Sequence, residues 1–152
     1  MTKKKININN NSLIEQFGMK PYKLRVKEKY MSKRQLNHFK KILKSWKEQL
    51  EQEAEKTVNH MQKDSNSLAD PNDRATQESE FGLELRTRDR ERKLIKKIQS
   101  SLIKIDDGTF GYCEETGEEI GLQRLEARPV ASLTLEAQER REITEKQYTD
   151  SR

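Results

Sequence analysis

Residues 32–50 read SKRQLNHFKKILKSWKEQL, and their apolar side chains Leu36, Phe39, Leu43, Trp46 and Leu50 recur every three or four positions. That spacing lays them along one stripe of a helix, the a/d seam of a coiled coil. Ser32 is placed to act as the N-cap, and Gln35, three residues on, completes a capping box. Further along, the seam thins through Ala54, Val58 and Met61, where a step of four shifts the register, and it fades near Asp64-Ser65-Asn66-Ser67. Leu68-Ala69-Asp70-Pro71-Asn72-Asp73 then reads as a turn, because proline holds its predecessor extended and Asp and Asn favour turns. Asn72 or Asp73 is expected to cap a second helix. That helix carries Phe81, Leu85, Leu94, Ile95, Ile98, Leu102 and Ile105 and stops at Asp106-Asp107-Gly108. Two helices of about 35 residues joined by a short turn pack as an antiparallel hairpin, a rod of about 50 Å at ~1.5 Å per residue. The predicted fold is mainly α.

Composition agrees with a rod. The chain has 152 residues, of which 38% are charged and only 31% hydrophobic, against about 45–50% apolar in an ordinary globular domain. Long solvated helices that bury one narrow stripe each account for the deficit. Lys and Arg number 31 against 26 Asp and Glu, a net charge of +5 that permits an acidic partner without demanding one. No apolar run approaches the ~20 residues of a membrane span. The basic, Asn-rich start shows no signal peptide, and the single cysteine, Cys113, excludes an internal disulfide. A cytoplasmic protein is expected.

The remaining segments complete the plan. Residues 1–12 read as a disordered tail. Residues 13–31 predict a short helix and then an extended stretch that packs on a head. The hairpin occupies 32–106, with its tip at 68–75, and the head occupies 107–152. Within the head, Phe110 to Gly121 has the glycine and aromatic pattern of a tight β-hairpin. Arg124 to Pro129 reads as a loop, and Ala131 to about Tyr148 as a last amphipathic helix. The expected head core is Phe110, Tyr112, Ile120, Leu122, Leu125, Leu133 and Ile143.

Three features could carry chemistry. Cys113 and Thr116 have the C-x2-C spacing of a zinc-ribbon knuckle, and Thr134 and Ala137 repeat it about twenty residues on. A structural zinc needs four thiolate or imidazole ligands; three candidates here are Thr, Thr and Ala, and both histidines, His38 and His60, lie in the first long helix. The head is therefore a degenerate zinc ribbon, expected to hold no metal, and Cys113 is more simply a small buried residue than a redox sensor. Asp70 and Asp73 are ordinary turn and cap residues, although two carboxylates at the end of a long hairpin can also deliver negative charge into a narrow cavity. The basic stretch Arg86 to Lys97 is most simply a solvated helix face; its guanidinium forks also suit paired oxygens of phosphates or carboxylates. No P-loop, dinucleotide fingerprint, nucleophile elbow or catalytic triad is present, which argues against an enzyme.

The run Asp70-Pro71-Asn72-Asp73-Arg74-Ala75, the helix segment Leu83 to Ile98, and the head from Phe110-Gly111-Tyr112-Cys113 through Ile120-Gly121 to Arg124-Leu125-Glu126-Ala127-Arg128-Pro129 resemble the DksA/TraR family over roughly Tyr22 to Gln147. The resemblance implies a transcription factor that binds RNA polymerase through its secondary channel. Arg90 and Lys93 would grip the rim, and the tip residues Asp70, Asp73 and Ala75 would approach the polymerase active site. It implies destabilised open promoter complexes in the stringent response, repressing ribosomal RNA promoters and aiding some amino-acid promoters. The alarmone guanosine tetraphosphate (ppGpp) would bind at the polymerase interface beside Leu94, Lys97, Arg124 and Arg128, with one family cation replaced by Gln138. The single cysteine matches a group in the family that lacks the full zinc set. A monomer with no sequence-specific DNA binding and no membrane contact is implied. The competing readings are a nucleic-acid-binding protein using the basic helix, a dimerising coiled-coil scaffold, and a transcript-cleavage factor that uses the same channel.

Overall fold

The computed structural model describes residues 13–64 and 70–151. The tail expected over 1–12 and the first two tip residues, Leu68 and Ala69, lie outside the described residues, as does the fading of the seam beyond Asp64. Five helices follow in order: α1 (Leu13–Gln16), α2 (Lys33–Asp64), α3 (Pro71–Asp107), α4 (Leu122–Ala127) and α5 (Leu135–Asp150). Among the described residues, β pairing is confined to an isolated antiparallel bridge between Tyr112 and Glu119.

The two long helices are bounded by chemistry written at their ends. The Ser32 hydroxyl accepts from the Gln35 N–H at 3.4 Å, while Gln35 Oε1 accepts from the Met31 N–H at 2.7 Å. The capping box thus closes one residue upstream of its usual partner, onto Met31, which has a left-handed φ of 54°. At the start of α3 the cap is Asp70, not Asn72 or Asp73: its carboxylate accepts from the Asn72 N–H at 3.0 Å, and Pro71 opens the helix. Proline suits that position because it needs no amide hydrogen there, and the helix takes in Asn72 and Asp73, which the sequence reading placed in the turn. At the other end Gly108, with φ 79°, stops α3 as predicted, and the Thr109 and Phe110 N–H groups bond back to the Lys104 carbonyl.

The chain divides into two compact units, Leu43–Phe110 and Met1–Ile42 with Gly111–Arg152. In the first, Leu43, Leu50, Ile98, Ser101, Ile105 and Phe110 are buried, and α3 runs back alongside α2, with His60 Nδ1 3.4 Å from Glu84 Oε1. Leu85, expected on the seam, is instead exposed, as are Leu83 and Ile103; a two-helix unit covers only one narrow stripe of each helix.

The second unit is the head. Ile14, Phe39, Ile42, Leu125, Leu133 and Ala137 are buried in it, and α1 packs on α4. Its centre is pinned by Tyr30, whose hydroxyl donates to the Gly111 carbonyl at 2.7 Å and accepts from the Gly121 N–H at 2.9 Å. Gly111 has φ 89°, and a Cβ there would lie 2.8 Å from Met31 Sδ, so only glycine fits. Four sequence expectations are corrected here. The β-hairpin reduces to one bridge and a turn, closed by Cys113 N–H to Glu118 O and Gly117 N–H to Cys113 O. The loop expected from Arg124 to Pro129 is largely the six-residue helix α4, ended by buried Pro129. The last helix begins at Leu135, because Thr134 caps it through the Ala137 N–H. That helix is not amphipathic: Ile143 is exposed, as is Tyr112, so neither belongs to the core.

Candidate functional site

At the tip, the structure separates two carboxylates that the sequence leaves equivalent. Asp70 is engaged as the cap, its side chain accepting a backbone N–H and its carbonyl accepting from Arg74 N–H at 3.0 Å. Asp73 sits exposed in the first turn of α3, where the positive end of the helix dipole favours a negative charge. Ala75 is exposed beside it.

Farther along α3, Arg90, Lys93, Leu94 and Lys97 are separated by three, four and seven positions and therefore share one face. Arg90, Lys93 and Lys97 are exposed and Leu94 is half-buried. Lys93 Nζ is 3.2 Å from Asp89 Oδ2, a solvent-exposed i,i+4 pair of the kind that contributes little. Arg124 and Arg128 belong to the other compact unit. Both line a cavity of about 850 Å³ in the head, together with Leu24, Tyr30, Gln35 and Leu135. Arg124 Nε is held by the Leu133 carbonyl at 3.0 Å, whereas the Arg128 side chain is exposed. Gln35 Nε2 is buried without a hydrogen-bond partner. Gln138 Nε2 donates to Glu142 Oε1 at 2.9 Å.

The four zinc-ribbon positions do come together in the head, but as a different kind of site. Cys113 is buried, and the Thr134 hydroxyl donates to its Sγ at 3.9 Å. Thr134 Oγ1 also accepts from the Ala137 N–H, and Ala137 is buried where a fourth ligand would stand. One sulfur, two hydroxyls and a methyl do not fit a structural zinc, which needs four thiolate or imidazole ligands. No group of three or more metal-ligating side chains is found among the described residues. Burial pushes the Cys113 thiol up, yet it is outweighed by the Thr116 hydroxyl and by the N–H groups of Thr134, Thr116 and Glu115, which bring the pKa down to about 6. The donors that would brace a metal-bound thiolate here brace a free one. Spacing marks Thr116 and Thr134 as lost ligands; their role as hydrogen-bond donors to Cys113 carries no sequence signal.

Against known proteins, residues 35–105 match the family "DnaK suppressor protein DksA, N-terminal domain" and residues 108–142 match "Prokaryotic dksA/traR C4-type zinc finger". The chain is 54% identical over 136 residues to the RNA polymerase-binding transcription factor DksA of Haemophilus influenzae, covering 90% of this chain and 94% of that protein. To the protein of the same description in Escherichia coli K12 it is 52% identical, covering 90% of each chain. Among solved structures, transcription factor DksA2 from Pseudomonas aeruginosa aligns with a TM-score of 0.72 at 35% identity, covering 77% of this chain and 90% of that one.

Proposed function

This chain belongs to the DksA/TraR family, and we propose that it binds RNA polymerase as a transcription factor and acts through the secondary channel without catalysing a reaction. In this reading the rod enters the channel, Arg90 and Lys93 hold its rim, and Asp73 with Ala75 meets the mobile elements near the active site. The result is destabilised open promoter complexes at ribosomal RNA promoters and support for some amino-acid promoters. The observation that carries the reading is the division of labour at the tip. Asp70 builds the start of α3, which leaves Asp73 as an exposed carboxylate in the first turn of a 37-residue helix.

Alarmone response belongs to the same proposal. In this reading Leu94, Lys97, Arg124 and Arg128 are the residues that contact ppGpp when it is bound against polymerase, with Lys97 and Arg128 exposed. Gln138 replaces one cation, and charge-assisted bonds are the strong ones, so the response is weaker than in relatives that keep it. We place the factor in the cytoplasm with polymerase, as a zinc-free monomer. No described helix is long and apolar enough to cross a membrane.

The test is the lifetime of open complexes at a ribosomal RNA promoter with the protein, with Asp73→Asn and with Asp70→Ala. Asp73→Asn retains polymerase binding and stability and abolishes the shortening. Asp70→Ala lowers stability by about 1 kcal/mol through loss of the cap. Unchanged lifetimes with the parent protein overturn the proposal.

A further inference from the structure

Lys23, Leu24, Arg25, Val26 and Lys27 follow one another in the segment before α2, and all five are exposed. Two of them are apolar: Leu24 is 63% exposed and Val26 94%. This segment borders two cavities of the head. Lys23 lines a cleft of about 640 Å³, with Lys20, Pro21, Arg34 and Lys41 around Tyr22. Its neighbour Leu24 lines the cavity of about 850 Å³ described above, with Tyr30, Ile120, Leu122, Ala127 and Leu135. Leu135 is 58% exposed, so leucines from two separate elements show their side chains at one cavity. One cavity is therefore cationic, the other is walled mainly by apolar side chains, and adjacent residues of one segment line the two.

Neither cavity is satisfied from within the chain. Between Lys20 and Lys41 there are nine Lys and Arg residues and one acid, Glu28. Glu28 is engaged by the Tyr22 hydroxyl, the Ser32 hydroxyl and the Arg25 N–H. Glu126 accepts from the Tyr22 N–H at 2.6 Å and lies 3.7 Å from His38 Nε2. Lys20, Lys23 and Lys41 are exposed, and none has a carboxylate at ion-pair distance among the described residues. Arg34 is exposed too, its guanidinium 5.2 Å from the centre of the Tyr22 ring. In the larger cavity the acids are Glu28, already held, and Glu119, set against the two cations Arg124 and Arg128. Gln35 lines it as well, 0% exposed, with its Nε2 lacking a hydrogen-bond partner. A buried donor without an acceptor costs stability until something supplies one.

We propose that the two cavities together dock an extended acidic segment of a partner protein, its carboxylates on Lys20, Lys23, Arg34 and Lys41 and one apolar side chain between Leu24 and Leu135. The mixture of chemistries selects that partner. A purely ionic ligand would leave the leucines in water, and a purely apolar one would leave the cations without counter-charges. Tyr22 and Arg34 are residue types that concentrate in protein interfaces, and the guanidinium fork suits paired carboxylate oxygens. An extended peptide also carries a carbonyl at every residue, which is the acceptor that Gln35 Nε2 lacks. This docking surface goes beyond the polymerase reading and does not rest on it, because binding is measured with the protein and a peptide alone. Failure here leaves the polymerase reading standing, and failure of that reading leaves this one.

The experiment measures fluorescence anisotropy of two labelled peptides with the full chain. Each peptide is a short run of Glu and Asp, one with a central Leu and the other with Ser in its place. The variants are Lys20→Ala/Lys23→Ala/Lys41→Ala in the cleft and Leu24→Ser/Leu135→Ser in the larger cavity. Arg86→Ala/Arg92→Ala/Lys96→Ala in α3 removes the same charge as the cleft variant and serves as the comparison. The parent binds the Leu peptide about tenfold more tightly than the Ser peptide, the effect of one largely buried leucine. The cleft variant binds both peptides about tenfold more weakly, at roughly twofold for each exposed ion pair lost. Leu24→Ser/Leu135→Ser keeps the parent's affinity for the Ser peptide and loses the preference for Leu; both positions are exposed, so its Tm stays at the parent value. The α3 variant behaves as the parent. Equal affinity of the parent for the two peptides overturns the proposal, as does an equal loss in the cleft and α3 variants, which would reduce the binding to net charge. Displacement of the Leu peptide by equimolar inorganic tripolyphosphate also overturns it, pointing to a small-anion site.

Discussion

Restoring three sulfurs to the head, as Thr116→Cys, Thr134→Cys and Ala137→Cys together, should turn it into a zinc protein that depends on its metal. The geometry is already close. A tetrahedron of ~2.3 Å Zn–S bonds has edges of about 3.8 Å, and the Thr134 oxygen stands 3.9 Å from Cys113 Sγ. Without metal the variant should be the less stable protein. Thr134 caps α5 through the Ala137 N–H, and losing such a cap costs about 1 kcal/mol. Ala137 is 0% exposed, so a sulfur added there overpacks the core at about 1–3 kcal/mol. The sum is about 2–4 kcal/mol, a fall in Tm of about 6–12 °C at ~3 °C per kcal/mol for a chain of this size. Zinc should more than reverse the fall, because structural sites contribute on the order of 10 kcal/mol. The assay is a melting curve with and without chelator, joined to metal analysis and to the visible absorption of the cobalt-substituted variant. Tetrahedral cobalt bands at one metal per chain, and a Tm that chelator lowers only in the variant, are the expected results. Stoichiometric zinc on the parent protein would refute the reasoning at its base. A variant that binds no metal would show that the four positions lack the tetrahedral geometry.

Two further outcomes follow from the head. Alkylation of Cys113 should be slow, because the thiol is buried, but its rate should rise with a midpoint near pH 6. Thr116→Val should move that midpoint upward, and a parent midpoint above pH 8 would contradict the hydrogen bonds drawn to the sulfur. The folded thiol lies below its ordinary 9.0, so it adds stability that is complete above the unfolded value and is lost as pH falls through about 6. Tyr30→Phe removes a hydroxyl that joins Gly111 O and Gly121 N–H. Gly111 O keeps the Ile120 N–H at 2.9 Å, and Gly121 N–H is left without that partner. The loss should be about 2–3 kcal/mol, or ~5–10 °C in Tm by calorimetry; an unchanged Tm would remove Tyr30 from its role as the pin.

The rod was legible because its signals are local and repeat. Steps of three and four place Leu43, Leu50, Ile98 and Ile105 without knowledge of anything distant, and Ser32 and Gly108 mark ends with chemistry confined to a few residues. Even so, a strict a/d count passes over Ile42, which is 0% exposed, because a helix that borders a globular head buries a wider stripe than a two-helix seam does. The head was harder to read because its order rests on pairs far apart in sequence. Tyr22 N–H meets Glu126 across 104 positions and Tyr30 meets Gly121 across 91, distances at which periodicity carries no information. α4 is six residues long, under two turns, too short for a 3.6-residue period to declare itself. Ile143 and Tyr148 mislead for the opposite reason: spacing marks a face on α5, but nothing in the described fold covers it. At the candidate sites the same divide holds. Spacing located Asp70, Asp73, Cys113 and the basic stretch of α3, and the resemblance attached Arg90, Lys93, Leu94, Lys97, Arg124 and Arg128 to a partner. Neither could tell a capping aspartate from an exposed one, since that difference is a single hydrogen bond between Asp70 and Asn72.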